Sequence, residues 1–358
     1  MNIPKLEIGD LTSPLAIVQG GMGVGISMSK LASAVADEGG IGVISAAMTG
    51  IEEPDVRENA VQANIRTLKQ EIIKAKEATK GVLGVNIMVA LTNFADLVKT
   101  SIEEKIDIIF SGAGLPLNLP QYLKKGSTTK LVPIVSSARA AGLICKKWLA
   151  KFDYLPDAFV VEGPKAGGHL GFKEEQLEDP KFSLENLVRE VIDIVKTFEA
   201  QVKKKIPVIA AGGIFTGADI HKFIKMGAAG VQLGTRFVAT HECDADDGFK
   251  QAYVKANKED LVVIKSPVGM PGRALRNDFI DAVNIGKKKP FRCLYHCIKT
   301  CEQKKSPYCI ALALARAKKG AFKHGFAFAG ENAWRVNKII SVKELMSILQ
   351  TEFSLAAG

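Results

Sequence analysis

A histidine that follows a pair of glycines is the first residue of this sequence that could do chemistry. It is His169, in the segment EGPKAGGHLG, which comes directly after an apolar run with strand character at 157–163. An imidazole with an ordinary pKa of about 6.5 exchanges protons near neutral pH. The other four histidines lack such a placement. We therefore predict that His169 is the catalytic residue.

Two glycine-bearing turns predict a phosphate site. AAGGIFTGADI contains Gly212 and Gly213, and LGTRF contains Gly234 and Thr235. Backbone N–H groups in such turns, next to a helix N-terminus, bind phosphate. A third glycine-rich segment, IVQGGMGVG at 17–25, lacks the G-x-G-x-x-G spacing of a dinucleotide turn. A single phosphate site without that turn favours a mononucleotide such as FMN.

Four cysteines form the pattern C-x3-C-x3-C-x7-C, at Cys293, Cys297, Cys301 and Cys309. A spacing of four residues would place the first three along one stripe of a helix. The pattern matches neither the common zinc pairs nor the usual ferredoxin spacing. We predict a group of buried thiols without metal. A zinc or iron–sulfur site, with His296 as a further ligand, is the alternative.

Eight short apolar runs must position these groups. They alternate with amphipathic stretches of helical period, and they are 14–19, 41–45, 82–88, 106–110, 131–137, 157–163, 206–213 and 230–235. Runs that are apolar throughout are typical of parallel strands covered on both faces. Eight strand–helix repeats predict an α/β fold, a (β/α)8 TIM barrel, whose strand ends meet at one active-site face.

Beyond the eighth run the repeat pattern stops. We predict a barrel domain at 1–241 and a smaller helical cap or substrate domain at 242–335, which carries the cysteines. A C-terminal helix at 336–358 is predicted to pack back on the barrel. Ser341 and Glu344 have the spacing of a capping box at its start.

Composition excludes several classes of protein. The 358 residues are 47% apolar and 24% charged, which fits a large globular core. No apolar run reaches the roughly 18 residues of a membrane span, and the N-terminus lacks a signal-peptide pattern, so we expect a cytoplasmic protein. The net charge of +10 is dispersed and accompanies no nucleic-acid motif, which favours anionic small molecules or an acidic partner protein.

Five segments together carry a family resemblance: IVQGGMGVG, GVNIM, VVEGPKAGGHLG, VIAAGGI and VQLGTRF. In this order they resemble the nitronate monooxygenase (2-nitropropane dioxygenase) family and its relatives, the FMN-dependent enoyl-acyl-carrier-protein reductases. The resemblance spans about 10–280, nearly the whole predicted barrel. It departs from the family pattern at Lys165, where Glu is usual, and at Glu331, where relatives often have Gln.

The resemblance implies FMN as cofactor and a set of residues around it. Gly20, Gly21, Met22 and Gly23, with Gln19 before them, would lie along the ring, and Asn86 would offer its amide to the ring or ribityl chain. Ser111 and Glu162 end strands at the same face. Gly167 and Gly168 would border the ring, and Gly212, Gly213, Gly234 and Thr235 would hold the phosphate.

The resemblance implies oxidation of an alkyl nitronate with O2 to a carbonyl compound and nitrite. The alternative is an enoyl-acyl-carrier-protein reductase, with NAD(P)H as reductant and an acidic carrier protein as partner. A third hypothesis, from another class, is a flavin and iron–sulfur electron-transfer module. The five segments are shared by both branches of the family and leave the substrate, the nicotinamide and the oligomeric state open.

Overall fold

A computed structural model describes residues 1–287 and 291–358. An antiparallel hairpin of β1 (Leu6–Ile8) and β2 (Leu11–Ser13) precedes eight parallel strands. The eight are β3 (Ile17–Gln19), β4 (Gly42–Ser45), β5 (Leu83–Met88), β6 (Ile108–Gly112), β7 (Lys130–Val135), β8 (Phe159–Glu162), β10 (Val208–Ala211) and β11 (Gly230–Leu233). Each lies within or next to a predicted run.

The eight strands close into a barrel. Their hydrogen-bonded order is β3-β11-β10-β8-β7-β6-β5-β4. The ends of this order meet through Ile41, whose N–H donates to the Ile17 carbonyl and whose carbonyl accepts from the Gln19 N–H, both at 2.9 Å. Every residue of β4 and β10 is buried, because side chains fill the barrel interior and helices cover its outside. The predicted (β/α)8 barrel is confirmed.

Seven helices follow the barrel strands in alternation. They are α1 (Ser29–Asp37), α2 (Ala60–Ala78), α3 (Phe94–Glu103), α4 (Ala138–Phe152), α5 (Leu184–Val202), α6 (Gly217–Lys225) and the short α7 (Thr235–Val238). Their buried faces follow the helical period: in α5, Leu187, Val191 and Val195 point to the core.

The C-terminal helix α11 (Val342–Ala356) begins directly after Ser341, the predicted capping residue, and six residues after the predicted boundary at 336. The Ser341 hydroxyl accepts a hydrogen bond from the Glu344 N–H at 3.0 Å. The helix packs on α6 so closely that a Cβ on Gly217 would lie 2.2 Å from the Leu349 carbonyl oxygen. The last residues of the chain thus return to the barrel.

The segment between the barrel and α11 is only partly helical. It contains α8 (Asp247–Val254), α9 (Asp278–Asn284) and α10 (Ile310–Lys318), but also β12 (Leu261–Lys265) and β13 (Pro271–Leu275). The strand β13 pairs antiparallel with β9 (Gly168–His169), the short strand that follows β8. The prediction of a helical cap is therefore incomplete, because the cap also contains strands. One of them, β13, supplies the backbone hydrogen-bond partners of the loop that carries His169. Residues 288–290 of the predicted cap lie outside the described chain.

The cap has a small core of its own. Tyr308 meets the rings of Phe279 and Phe326 edge-to-face, and those two phenylalanine rings stack nearly parallel, with all centroids 5.1 to 6.1 Å apart. None of the helices in the described chain combines the length and the apolar character needed to cross a membrane.

Candidate active site

A chamber of about 630 Å³ lies at the carboxyl ends of the barrel strands. Barrel loops form one side of it, and Met270, α10 and the segments 297–298 and 327–330 line the other. Active sites of (β/α)8 barrels lie at this face. Thirteen of the fifteen residues predicted for catalysis or cofactor binding line this chamber, and their sequence positions span more than 200 residues. They are Gly20, Gly21, Met22, Gly23, Asn86, Glu162, Gly167, Gly168, His169, Gly212, Gly213, Gly234 and Thr235.

Two of the predicted cofactor residues do not line the chamber. Gln19 is fully buried, and its amide donates to the Gly20 carbonyl at 2.5 Å and accepts from the Val43 N–H at 2.9 Å. The Ser111 hydroxyl is also fully buried and donates to the Ile87 carbonyl at 3.0 Å. Both side chains hydrogen-bond to barrel strands. Their contact with a cofactor stays a prediction.

The glycine-rich loop after β3 is shaped by the protein itself. A Cβ on Gly21 would lie 2.3 Å from the Cβ of Asn86, which is too close for two non-bonded carbon atoms. At Gly20 the nearest atoms would be 3.4 Å away, an ordinary contact with Gln232. The sequence attributed the absent side chains to a close approach of the flavin ring. At Gly21, however, the side chain of Asn86 in the neighbouring strand β5 already leaves no room for a Cβ.

The predicted phosphate turns form an open cradle. Gly213 has φ of +85°, in the left-handed region that favours glycine. Within the described residues, the backbone N–H groups of Gly213, Gly234 and Thr235 donate to no protein acceptor. Groups of this kind, at the ends of the last two barrel strands, suit an anion. These residues therefore fit a phosphate group.

A segment of the cap closes this cradle from the other side. The Gly330 N–H donates to the Thr235 hydroxyl at 3.2 Å, and the Asn332 amide donates to the Gly213 carbonyl at 2.6 Å. The two departures from the family pattern also meet here, since Lys165 Nζ lies 3.2 Å from a carboxylate oxygen of Glu331. The unusual lysine and the unusual glutamate thus compensate each other's charge.

Arg273 also stabilises this contact between the cap and the loop that carries Lys165. It is only 5% exposed, donates to the Pro164 carbonyl at 2.9 Å and lies 3.7 Å from Glu331. Its Nε–H has no partner within the described residues. Arg273 therefore holds the loop that leads from β8 to His169.

His169 is fixed in the chamber by three contacts. Its backbone pairs with Gly272 in β13, its Nε2 lies 2.7 Å from the Ser266 hydroxyl, and its ring meets Phe328 edge-on with centroids 4.9 Å apart. Burial lowers the pKa of His169 to about 4. The imidazole is therefore neutral at pH 7, which corrects the expectation of an ordinary pKa.

Glu162 is the chamber group that titrates near neutrality. It ends β8, faces the chamber and forms no hydrogen bond or ion pair within the described residues. Burial raises the pKa of Glu162 to about 7, because the low-dielectric wall disfavours the carboxylate. Two titratable groups whose pKa values move in opposite directions are typical of acid–base sites.

Sequence reasoning missed Ser266 and Phe328, which hold His169. Neither lies in a recognisable motif, and both reach the site through the pairing of β13 with β9 and of Ala274 with Phe328. It also missed the apolar far wall of the chamber, formed by Leu91, Ile298, Ile310 and Leu314. Only the β12–β13 strand signal could have indicated part of this arrangement.

Comparisons with known proteins bear on this site. A family model described as nitronate monooxygenase matches residues 7–352. A probable nitronate monooxygenase of Staphylococcus aureus is 26% identical over 304 residues, which are 75% of this chain and 77% of that protein. FabK from Thermotoga maritima has a similar structure, with a TM-score of 0.73 and 29% identity, covering 96% of this chain and 93% of that one.

A curated relative from Mycobacterium tuberculosis is 29% identical over 288 residues, 80% of this chain and 70% of that protein. It is named (3aS,4S,5R,7aS)-5-hydroxy-7a-methyl-1-oxo-octahydro-1H-indene-4-carboxyl-CoA dehydrogenase. The similarity thus extends to a protein named for a thioester substrate.

Proposed function

The chain belongs to the nitronate monooxygenase family and is a flavin-dependent oxidoreductase, and from this premise we propose that it oxidises alkyl nitronates with O2, using FMN. The products are a carbonyl compound and nitrite. One observation carries the proposal: a neutral histidine faces the same chamber as a cradle of backbone N–H groups that have no acceptor among the described residues.

FMN is proposed because one phosphate cradle is present at the position where such barrels hold a single phosphate. Gly213, Gly234 and Thr235 would hold that phosphate, and Asn86, Gly21 and Met22 would border the ring. When bound, the flavin supplies the redox chemistry between substrate and O2. The protein binds the ring, orients it and excludes water.

His169 positions the nitronate in this proposal. Because Nε2 is engaged by Ser266, Nδ1 is the nitrogen left for a ligand. A nitronate oxygen needs a donor, so the serine hydroxyl would donate to Nε2 and leave the proton on Nδ1. If a neutral nitroalkane is accepted, the opposite tautomer would let Nδ1 take its α-proton, as a base of low pKa.

Glu162 keeps the chamber free of negative charge. With a pKa raised to about 7, it is largely protonated below neutrality and does not repel an anionic substrate. Its ionisation above that pH places a carboxylate in the chamber and disfavours nitronate binding. The nitronate reaction is therefore expected to decline on the alkaline side.

The test is anaerobic mixing of the purified flavoprotein with propyl-2-nitronate, NADH and NADPH in separate experiments, with flavin absorbance as readout. Rapid reduction by the nitronate without a response to either nicotinamide would support the proposal. Bleaching by a nicotinamide with no response to the nitronate would overturn it.

A second candidate is an enoyl-thioester reductase. The apolar far wall of the chamber favours it, since a small nitronate does not need Leu91, Ile298 and Leu314 as partners. NAD(P)H would reduce the flavin, a hydride would go to the β-carbon, and a proton would reach the α-carbon through His169. Oxidation of NADPH that requires a crotonyl thioester would identify this activity.

The expected partners of the protein differ between the two candidate functions. A small-molecule substrate and O2 serve the first, and an acidic acyl carrier protein serves only the second. The positive net charge of +10 suits that partner. The cytoplasmic location and the absence of nucleic-acid and membrane partners stay predictions.

A further inference from the structure

Lys165 is the cationic side chain of the chamber. Among the residues that line the chamber in the described chain, no other lysine or arginine occurs, and the remaining charged one, Glu162, is acidic. A phosphate monoester carries about −1.5 to −2 charge at pH 7. Backbone N–H groups offer such an anion only partial positive charge. Among the lining groups, a full counter-charge for a bound phosphate can therefore come only from Lys165.

The stem of Lys165 lies directly against the phosphate cradle. A Cβ placed on Gly213 would lie 2.9 Å from the Lys165 Cβ and 3.3 Å from its Cδ. Gly213 is one of the three cradle residues whose backbone N–H groups have no acceptor among the described residues. A lysine ammonium sits on a flexible four-carbon stem and has three rotatable donors. An anion held by the cradle is therefore within reach of the Lys165 ammonium.

Backbone hydrogen bonds keep Lys165 and Glu331 beside this cradle. The Glu331 N–H donates to the Lys165 carbonyl at 3.1 Å. The preceding Gly330 N–H donates to the hydroxyl of Thr235, which is itself a cradle residue, at 3.2 Å. Because the backbone is held in this way, the Lys165 side chain can turn between the carboxylate and the cradle without a movement of the main chain.

The ion pair between Lys165 and Glu331 is weak enough to be exchanged. The Lys165 Nζ lies 3.2 Å from a Glu331 carboxylate oxygen, and the lysine side chain is exposed while the glutamate side chain is partly exposed. Ion pairs of this kind contribute little, because solvent screens the attraction and both side chains lose conformational freedom. A phosphate that carries more than one negative charge attracts the ammonium more strongly than a single carboxylate does.

Glu331 has a second cationic neighbour, which keeps its charge compensated if Lys165 leaves. The Nη2 of the buried Arg273 lies 3.7 Å from the other carboxylate oxygen of Glu331. The Nε–H of the same guanidinium has no acceptor among the described residues. Arginine binds carboxylates through two parallel N–H groups, and a buried donor without a partner is costly. Release of Lys165 therefore lets Glu331 move onto Arg273 and satisfy that donor.

We propose that Lys165 binds the phosphate of the flavin cofactor, and that Glu331 exchanges its contact with Lys165 for one with Arg273 when this happens. The inference rests on the FMN of the proposed function, and it concerns the cofactor site rather than the nitronate reaction. Lys165 stands where the family pattern has glutamate, so this chain reverses the sign of the charge beside the cradle. Glu331 holds the ammonium next to the cradle until the phosphate binds.

The test compares FMN with riboflavin, which has the same ring and ribityl chain but no phosphate. The full chain is freed of flavin by dialysis, and the dissociation constant of each flavin is measured by fluorescence quenching. Lys165→Met should bind FMN about 10-fold more weakly, the effect of one lost charge-assisted hydrogen bond, and should bind riboflavin as the parent does. Lys165→Arg keeps the charge and should restore most of the FMN affinity.

A matched control and two further measurements separate a direct contact from a structural role. Lys173→Met removes an exposed lysine of the same loop and should change neither affinity. Added KCl should weaken FMN binding to the parent more steeply than to Lys165→Met, because the parent pairs one more charge with the phosphate. Glu331→Gln removes the competitor for the ammonium, so it should bind FMN more tightly than the parent and riboflavin equally well.

Several outcomes would overturn the proposal. They are an FMN affinity of Lys165→Met within about twofold of the parent, an equal loss for both flavins in that variant, and weaker FMN binding in Glu331→Gln. Riboflavin binding requires a folded site and therefore reports whether each variant folds. A parent that binds FMN no more tightly than riboflavin would overturn both this inference and the assignment of FMN. The expected affinities in a chain that does not react with propyl-2-nitronate would support the inference and overturn only the proposed reaction.

Discussion

The barrel side and the cap side of the chamber are built by different means. On the barrel side, backbone geometry sets the wall: Gly21 has no room for a Cβ, and Gly213 needs a positive φ. On the cap side, side chains set it: Ser266 holds the His169 ring, and Glu331 meets Lys165. Backbone sterics tolerate little, whereas a partly exposed ion pair such as Lys165–Glu331 contributes little energy. Substitutions should therefore cost more on the barrel side.

The largest effect is expected for His169→Ala. Loss of the group that faces substrate should lower kcat/KM by about 100-fold or more, while the flavin stays bound. Steady-state kinetics with propyl-2-nitronate, alongside the flavin absorbance of the variant, measures both. A change below about threefold would contradict a catalytic role.

Gly21→Ala should have the next largest effect, a loss of stability. Its Cβ would lie 2.3 Å from that of Asn86, so the loop and β5 must move apart, at a cost of about 1–3 kcal/mol in unfolding free energy. Urea unfolding measures this change. The matched control is Gly20→Ala, whose Cβ has 3.4 Å of clearance and whose stability should stay close to that of the parent.

Glu162→Gln tests the buried carboxyl on the same side. The folded pKa of Glu162, about 7, lies above the ordinary value of 4.5 for a glutamate, so the protonated carboxyl favours the folded state. That stability is fully present below the unfolded pKa and is lost as pH rises through about 7. Thermal unfolding of the flavin-free protein against pH should show this loss. In the variant the curve should be flat over the same interval.

Ser266→Ala should have a smaller effect, because it acts through another residue. Without the hydroxyl, the His169 ring loses its fixed tautomer, and kcat should fall about 5- to 10-fold, the value of one hydrogen bond. The pH profile should also shift, a change that a purely structural role would not produce. Ser266→Thr keeps the hydroxyl and should restore the profile. A larger loss of kcat than in His169→Ala would contradict the expectation that substitutions on the cap side have the smaller effects.

The Lys165–Glu331 pair should show the smallest effect. The side chains are 59% and 34% exposed, so solvent screens the attraction. A double-mutant cycle with Lys165→Met and Glu331→Gln should give a coupling of about 0.5 kcal/mol that disappears in high salt. A coupling free energy above about 2 kcal/mol would contradict this prediction, because the ion pair would then stabilise the cap–barrel contact strongly.

Local sequence patterns were sufficient for the barrel. Each strand of the eight is an apolar run ended by small or polar residues, and each helix has a buried stripe, so the pattern specifies element type and order. The same holds for the N-cap at Ser341, where one hydroxyl satisfies a helix N–H. The family and the oxidoreductase class, predicted from motifs within these elements, are confirmed.

The contacts of individual side chains were less predictable. Gln19 lies beside the glycines of a motif, yet its amide points into the barrel wall, because the buried Val43 N–H and Gly20 carbonyl need partners. Ser111 follows the same rule at the Ile87 carbonyl. A motif specifies at which strand end a residue lies, but not whether its side chain points into the chamber or into the barrel wall.

By itself, the sequence determined the barrel, the chamber face and the residues with reactive groups, because alternating strand and helix signals are local. Only the tertiary structure decided how those groups behave. Pairing of β13 with β9 brings Ser266 to His169, and burial moves the pKa of His169 down and that of Glu162 up. These effects arise from residues distant in the chain and from the low dielectric between them, and no local pattern records either.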